Sequence, residues 1–470
     1  MFGGVYGHGT SVERAGRSVN ERLLDSWVQI PSIGSKIRAL RGIFFSSVKR
    51  EFIRNVTDAT TTPTPLSHDE YELPREIRTV RLNRLKARRV MTGDDKGAKK
   101  KHSVFAQLQN ETKNWSGAAL RRGFVAKGHG GQKRAFKVKL IGEGVNDYSG
   151  PYREAFTDSL AEVLKVSGEA GSLGVLDPSP NCSAQVGENR GLFMFSLNGV
   201  DLSKMYKRTT SLSPEESDLF ESFSSLIFTR NETSREVEEA LVFLGRITGT
   251  AFRHGIPLDL PLPLESVWKA IVEEPSTFSH RLEELDVMAS RYDGEKGPHP
   301  LILWQQRMLN AFCEGLSNVL PFEILSILSG EELRDAICGN PEVDVDLLKQ
   351  VVEYEGYEET DEVVQFFWET LREFSNDDRK AFLQFVWARN RLPMKESDFE
   401  APFKLQKDTA KDSGEQALPS ASTCFFSLSL PQYKSKDQLK EKLLFAINNV
   451  TTMETDFQTN SAEIAEGYRF

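Results

Sequence analysis

The feature that most constrains this chain is a strand pattern that starts at Cys424, close to the carboxyl end. A long polar stretch precedes this cysteine, and apolar residues then alternate with serines up to Pro431. Such alternation is typical of a strand with one buried face, and proline ends a strand because it cannot donate a ladder hydrogen bond. The sequence therefore places a thiol where a surface loop becomes a strand that is anchored in a core.

A helix pattern follows this strand. Ser435 and Gln438 match a capping box, which predicts a helix over residues 436–449. Apolar residues recur every three or four positions along this segment, so one face of the helix can cover the strand. The two patterns together predict a compact α/β unit whose first strand begins at the cysteine.

The remainder of the chain has mainly helical periodicity. Residues 136–140 alternate as a strand, and a helix pattern begins at Pro151, where proline suits the first helical turn. Helices dominate from residue 214 to residue 392. Those expected in the second part of this region span residues 264–272, 301–317, 330–337, 343–351, 361–373 and 377–388.

An acidic segment at residues 352–360 interrupts these helices. It contains Gly356, which allows backbone conformations that other residues avoid. We consider this segment the best candidate for a hinge in the second half of the chain. An ordinary solvated turn fits the same composition equally well.

Composition argues against several classes of protein. With 470 residues, 39% of them hydrophobic and 27% charged, the chain is typical of a globular protein with a substantial core. It contains no apolar run of the roughly 18 residues that span a bilayer, and its first residues lack the apolar core of a secretory signal. The lack of a spanning run leads us to expect no membrane partner. The four cysteines form no CxxC pair, so we expect no metal site. Scattered free thiols favour the cytoplasm or the nucleus.

Charge is distributed unevenly along the chain. Residues 1–140 carry 28 Lys and Arg against 12 Asp and Glu, whereas the remainder carries 31 against 56. A basic region can bind an acidic partner or nucleic acid. However, aromatic residues do not interleave the basic clusters as a stacking surface would require. We therefore favour a solvated arm and expect no nucleic-acid partner.

The chemistry of Cys424 is the main functional question. Free cysteine is among the most buried residue types, so core packing is the simplest interpretation of any one thiol. A cysteine hydrolase needs a histidine base within hydrogen-bond reach, yet the last histidine in the sequence is His299. Such a pair could form only across domains. Exchange of an acyl group between thiols needs less general-base help, because a thiol is a good leaving group, so the residues favour an acyl relay over hydrolysis.

A set of short motifs occurs in a fixed order along the chain. Thr423-Cys424-Phe425 is followed by Leu430-Pro431-Gln432-Tyr433, and the upstream motifs are Gly142-Glu143-Gly144, Arg153-Glu154, Leu244-Gly245-Arg246 and Arg391-Leu392-Pro393. In this combination they resemble the HECT-type E3 ubiquitin ligases. The motif sequences are most similar to those of the large HERC-like and HECTD-like members. The resemblance covers roughly residues 75–470.

The resemblance implies a bilobal HECT fold of the α+β class. A large, mostly helical N-lobe would comprise residues 75–351, and a small α/β C-lobe would comprise residues 361–470. The segment 352–360 would be the hinge between them, and residues 1–74 would form a helical or flexible extension. Within the N-lobe, residues 264–314 would be the E2-binding subdomain, which is shorter than is usual in the family.

The resemblance also implies a reaction. Cys424 would accept ubiquitin from a ubiquitin-charged E2 as a thioester and pass it to a lysine of a protein substrate. Thr423 and Phe425 would orient the thiol, and Phe457 would support the transfer. No cofactor and no metal are implied. The shortened E2-binding subdomain leaves an alternative, namely a catalytically impaired HECT-like interaction module that lacks a full E2 site.

Overall fold

The structure is a computed structural model. It describes residues 33–64, 77–93, 95–125, 131–143, 150–164, 173–184, 190–198, 232–273, 300–409 and 417–449. Within these ranges the buried apolar residues form two clusters, one drawn from residues 53–338 and the other from residues 343–447. We call the corresponding parts of the chain the N-terminal unit and the C-terminal unit. The α+β class expected from the sequence is confirmed.

The N-terminal unit is mostly helical, with two small sheets. Its elements are α1 (Ile33–Leu40), α2 (Ser46–Ala59), β1 (Thr79–Leu82), α3 (Arg84–Met91), α4 (Lys96–His102), α5 (Val104–Thr112), α6 (Gly117–Leu120), β2 (Lys137–Leu140), α7 (Gly150–Val163), β3 (Leu176–Pro178), α8 (Pro180–Ala184), β4 (Phe193–Phe195), α9 (Glu232–Arg253), α10 (Ala270–Val272), α11 (Pro300–Val319) and α12 (Gly330–Cys338). Strands β1 and β2 pair in parallel, and β3 and β4 pair antiparallel. A one-turn π-helix, Leu264–Lys269, leads into α10.

Helices α9 and α11 form the centre of this unit. Gly245 and Gly315 face each other across the pair: a Cβ added at Gly245 would lie 2.0 Å from the carbonyl oxygen of Phe312. A Cβ added at Gly315 would lie 2.0 Å from the carbonyl oxygen of Val242. Only glycine allows backbones to approach this closely.

The C-terminal unit is a four-stranded sheet with helices. Its elements are α13 (Val345–Gln350), β5 (Val352–Glu355), α14 (Glu362–Glu373), α15 (Asn376–Trp387), β6 (Phe403–Lys407), β7 (Ser420–Ser422), β8 (Ser427–Leu430) and α16 (Lys436–Asn449). The strand order is β5-β6-β8-β7, with β5, β6 and β8 parallel and β7 antiparallel to β8. Leu428 and Leu430 are buried, as their alternation predicts. The main-chain N–H of Gln438 donates to Ser435 Oγ at 3.3 Å, so Ser435 caps α16 as predicted.

The predicted hinge differs from the structure in its first part. Residues 352–355 are strand β5, which pairs in parallel with β6 and so belongs to the C-terminal sheet. Gly356 ends this strand with a φ of +77°, a conformation that favours glycine. The first core ends at Cys338 and the second begins at Val343, so the boundary between the cores falls before the predicted hinge. Local composition identified the turn at Gly356 but not the pairing of β5 with a distant strand.

Two further observations bear on the expectations from the sequence. Strand β1 and helix α3 lie within the basic region at residues 1–140, and β1 pairs with β2, which is more than 50 residues away in sequence. In the part of the chain that the structure describes, no helix combines the length and the apolar character that crossing a bilayer requires.

Candidate active site

Cys424 lies in a tight turn that joins β7 to β8. The main-chain N–H of Phe425 donates to the carbonyl oxygen of Ser422 at 3.2 Å, which closes the turn. Strand β8 starts only at Ser427, so the expectation that the strand begins at the cysteine is corrected. The preceding polar segment supplies strand β7, and the cysteine therefore occupies the tip of a hairpin.

Aromatic packing fixes the conformation of this turn. Phe426 has a φ of +50°, which is unfavourable for a residue other than glycine. Its buried ring stacks on Trp387, with 4.0 Å between the ring centroids and 10° between the planes. Its carbonyl oxygen also accepts a 2.9 Å hydrogen bond from the main-chain N–H of Lys404. The stack offsets the backbone strain and holds the neighbouring Cys424 in one place.

The three residues of the predicted motif differ in exposure. Cys424 and Thr423 are each 8% exposed, whereas the Phe425 side chain is 43% exposed. Thr423 and Phe425 therefore flank the thiol in the same turn, one inward and one outward. Their role in orienting the thiol stays a prediction. Gly356 lies beside Lys407 at the far end of β5 and β6, and Phe457 is outside the described residues.

The N-terminal unit reaches this turn through Arg153 of helix α7. Its Nη1 donates to the carbonyl oxygen of Thr423 at 2.6 Å, and its Nε donates to Gln132 Oε1 at 2.9 Å. Arg153 is 1% exposed. The sequence contained a signal for this position, because Arg153 lies on the same helical face as Phe156 and Leu160, both of which are buried.

Arg389, which follows helix α15, contributes to the contact between the two units from the C-terminal unit. It donates to Gln132 Oε1, to Glu400 Oε2 and to the carbonyl oxygen of Gly255, each at 2.9 Å. Its guanidinium also lies over the Trp387 ring, 4.1 Å from the centroid. We call Gln132, Arg153, Arg389 and Glu400 the interface cluster. It joins the two units directly behind the Cys424 turn.

The electrostatics of this cluster are those of two buried cations. Burial, followed by the neighbouring Arg389 charge, lowers the pKa of Arg153 to about 10. The charges of Glu400 and of the Cys424 thiolate act on that pKa in the opposite direction. Burial also lowers the pKa of Arg389, while Glu400 opposes the shift. An anionic sulfur at Cys424 is therefore electrostatically coupled to Arg153.

Two of the other cysteines are buried. Burial raises the pKa of Cys313 and of Cys338 to about 12, which leaves both as weakly nucleophilic thiols. Cys182 is half-buried on α8. In the described ranges, no group of three or more His, Cys, Asp or Glu side chains could hold a metal ion.

The structure describes two of the histidines, His102 and His254. His254 Nε2 donates to the carbonyl oxygen of Arg122 at 2.8 Å, which makes Nδ1 the acceptor for the Tyr152 hydroxyl at 2.9 Å. Burial lowers the pKa of His254 to about 3, so its ring is neutral. Both of its nitrogens are engaged, and it is therefore not a base for Cys424.

Comparison with known proteins adds to this geometry. Residues 304–456 match the model of the HECT domain (ubiquitin-transferase). The chain is 28% identical over 474 residues to the E3 ubiquitin-protein ligase HERC2 of Homo sapiens, which covers 91% of this chain and 9% of that protein. It is 42% identical over 144 residues to UPL2 of Arabidopsis thaliana and 34% identical over 144 residues to RSP5 of Saccharomyces cerevisiae, both E3 ubiquitin-protein ligases. These two alignments each cover 30% of this chain, with 4% of UPL2 and 18% of RSP5.

The chain thus spans less than a fifth of the length of each of these relatives. The family match includes the whole C-terminal unit, with the Cys424 turn and its Trp387 support. The alignment with HERC2 extends over most of the N-terminal unit as well. Residues 304–456 are therefore similar to the HECT domain, and the chain resembles the HERC-like members of the HECT-type E3 ubiquitin ligases.

Proposed function

We propose that this chain accepts ubiquitin from a charged E2 as a thioester on Cys424 and transfers it to a lysine of a protein substrate. The observation that carries the proposal is the position of Cys424 at the tip of the β7–β8 hairpin, inside the HECT match. The stacked Phe426 fixes the turn, and Arg153 supplies positive charge behind it.

The proposed chemistry consists of two exchanges. The Cys424 thiolate attacks the carbonyl carbon of the E2-linked thioester, a new C–S bond forms, and the E2 thiolate leaves. A substrate lysine amine then attacks the second thioester, an amide bond forms, and the Cys424 thiolate leaves while the amine loses a proton. Because the leaving group is a thiolate in both steps, the reaction needs little general-acid help. This agrees with the engagement of His254 elsewhere.

The test is an adduct assay. The chain is incubated with E1, ATP, labelled ubiquitin and each member of an E2 panel, and the products are separated with and without reductant. We expect a reductant-sensitive adduct with at least one E2, and none from the Cys424→Ala variant. If the wild-type chain forms no adduct with any E2 of the panel while its fold is intact, the proposal is wrong.

A second candidate is a HECT-like interaction module that lacks a full E2 site. One observation favours it: residues 264–314, where the resemblance places the E2-binding subdomain, number only 51. Binding of an uncharged E2 measured by calorimetry, together with no adduct from the charged form, would select this candidate. An adduct would exclude it.

A further inference from the structure

We infer that Arg153 is a positioning residue for Cys424, supplied by the opposite unit. Its guanidinium holds the main-chain carbonyl immediately before the thiol and presents positive charge to the thiolate. This inference rests on the proposed function, because thioester exchange is the step that uses the thiolate. It adds that the nucleophile is fully assembled only while the two units are docked.

The geometry gives Arg153 two tasks at once. Nη1 donates to Thr423, one residue before the nucleophile, at 2.6 Å. Nε donates to Gln132, whose Oε1 also accepts from Arg389. The guanidinium is therefore held at both ends, and a charge with fixed orientation acts more strongly than one on a freely rotating chain. The Thr423 carbonyl in turn fixes the peptide plane next to Cys424.

Several charged groups surround the Arg153 guanidinium behind the turn. Arg153 comes from α7, Arg389 from the segment after α15, and Glu400 from the segment before β6. Arg134, which precedes β2, is buried and adds a further positive charge to the field at Arg153. The Arg153 guanidinium and the Cys424 thiolate attract each other, and this attraction favours the anionic sulfur. Arg153 donates directly to the main chain of the cysteine turn.

The hydrogen bond from Arg153 to Thr423 also places the thiol next to the boundary between the two cores. Thr157 Oγ1 donates to the carbonyl oxygen of Ala388 at 3.2 Å, one helical turn after Arg153. The same face of α7 thus donates hydrogen bonds both to the end of α15 and to the Cys424 turn. Separation of the units would remove the guanidinium from the thiol, so docking and thiolate formation are linked.

The experiment measures the rate at which Cys424 reacts with iodoacetamide between pH 5.5 and pH 9.5, followed by peptide mass spectrometry. The thiolate is the reactive form, so the midpoint of the rate profile reports its formation. In Arg153→Gln we expect the midpoint to move upward by about one pH unit, as expected when an opposite charge nearby is lost. Arg153→Lys keeps the positive charge but loses the planar set of N–H donors, so its midpoint should shift by less.

The matched control is Arg379→Gln. Arg379 also donates to main-chain carbonyls, those of Leu371 and Arg372, but not to the cysteine turn. Its midpoint should equal that of the wild type. If Arg153→Gln does not fold, Gln132→Glu replaces it: this variant keeps the shape and adds negative charge beside Arg153, so the midpoint should also rise.

An unchanged midpoint in the folded Arg153 variant, or in Gln132→Glu where it substitutes, overturns the inference. A shift of equal size in the Arg379 control overturns it as well. Alkylation requires no E2 and no ubiquitin, so the two proposals fail separately. A shifted midpoint with no ubiquitin adduct would reject the ligase function alone, and an adduct with an unshifted midpoint would reject the role of Arg153 alone.

Discussion

The two faces that meet at Cys424 are built differently. On the C-terminal side, the turn is fixed by a stack of Phe426 on Trp387 and by main-chain pairing within one sheet. On the N-terminal side, the contact is made by buried polar side chains, and Arg153 lies 270 positions before Thr423 in the chain. One face is held by apolar packing within its own core, whereas the other depends on docking. Substitutions should therefore affect them separately.

The largest expected effect is on transfer itself. Cys424→Ser keeps the size of the side chain and leaves both faces intact, but replaces the thiolate by a much weaker nucleophile. We expect turnover to fall by at least about 100-fold, with any residual adduct resistant to reductant because it is an oxyester. Circular dichroism should match the wild type. A reductant-sensitive adduct that persists in this variant would place the acceptor at another cysteine.

The next effect should be largest in the C-terminal unit. Trp387→Ala removes the ring that supports both Phe426 and the Arg389 guanidinium, and should cost about 3–5 kcal/mol of stability. Hydrogen exchange should accelerate in β6 and β8 far more than in α9 and α11. Trp387→Phe is the control and should lose less. Equal acceleration in both units would mean that the two cores unfold together.

A complementary change should weaken the core of the N-terminal unit. Gly315→Ala places a Cβ 2.0 Å from the carbonyl oxygen of Val242, so α9 and α11 must move apart, at about 1–3 kcal/mol. Hydrogen exchange should now accelerate in these two helices before it does in the C-terminal sheet. Gly42→Ala serves as control, because nothing lies within 4 Å of its added Cβ. A stable, tightly paired variant would contradict the close approach.

The effect that is smallest near neutral pH is the one on the pH dependence of stability. Burial lowers the pKa of His254 from 6.5 to about 3, so the unfolded chain binds the proton more readily. The stability that a neutral His254 contributes is present above pH 6.5 and declines as the pH falls towards 3, at up to about 1.4 kcal/mol per pH unit. Urea unfolding at several pH values should show that the free energy of unfolding of His254→Gln depends less steeply on pH than that of the wild type. An identical pH dependence in the variant and the wild type would contradict this assignment. His102→Gln, at a more exposed histidine, is the control.

Much of the C-terminal face could be predicted from the sequence. The alternation of Leu428 and Leu430 gave the buried side of β8, and helical periodicity gave α14, α15 and α16 to within a residue or two. These signals succeed because they depend on neighbours along the chain. Strand β7 was missed because it is three residues long, and β5 was missed because its partner β6 is remote.

The N-terminal face could be predicted only in part. The position of Arg153 on an apolar helical face was a signal that was visible in the sequence. Gln132 and Arg389 carried no comparable signal, because such residues are usually exposed and their burial depends on partners far along the chain. Polar contacts between remote segments arise from docking, and single-sequence patterns do not report them.

The central claim is that Cys424 is the ubiquitin acceptor, and a single-turnover experiment tests it most directly. An E2 charged with labelled ubiquitin is mixed with the chain, the reaction is stopped without reductant within seconds, and the adduct is digested and mapped by mass spectrometry. The account predicts that the thioester-linked Gly-Gly remnant lies on the peptide that contains Cys424. A remnant on the peptide of Cys182, Cys313 or Cys338, with none at Cys424, would contradict it.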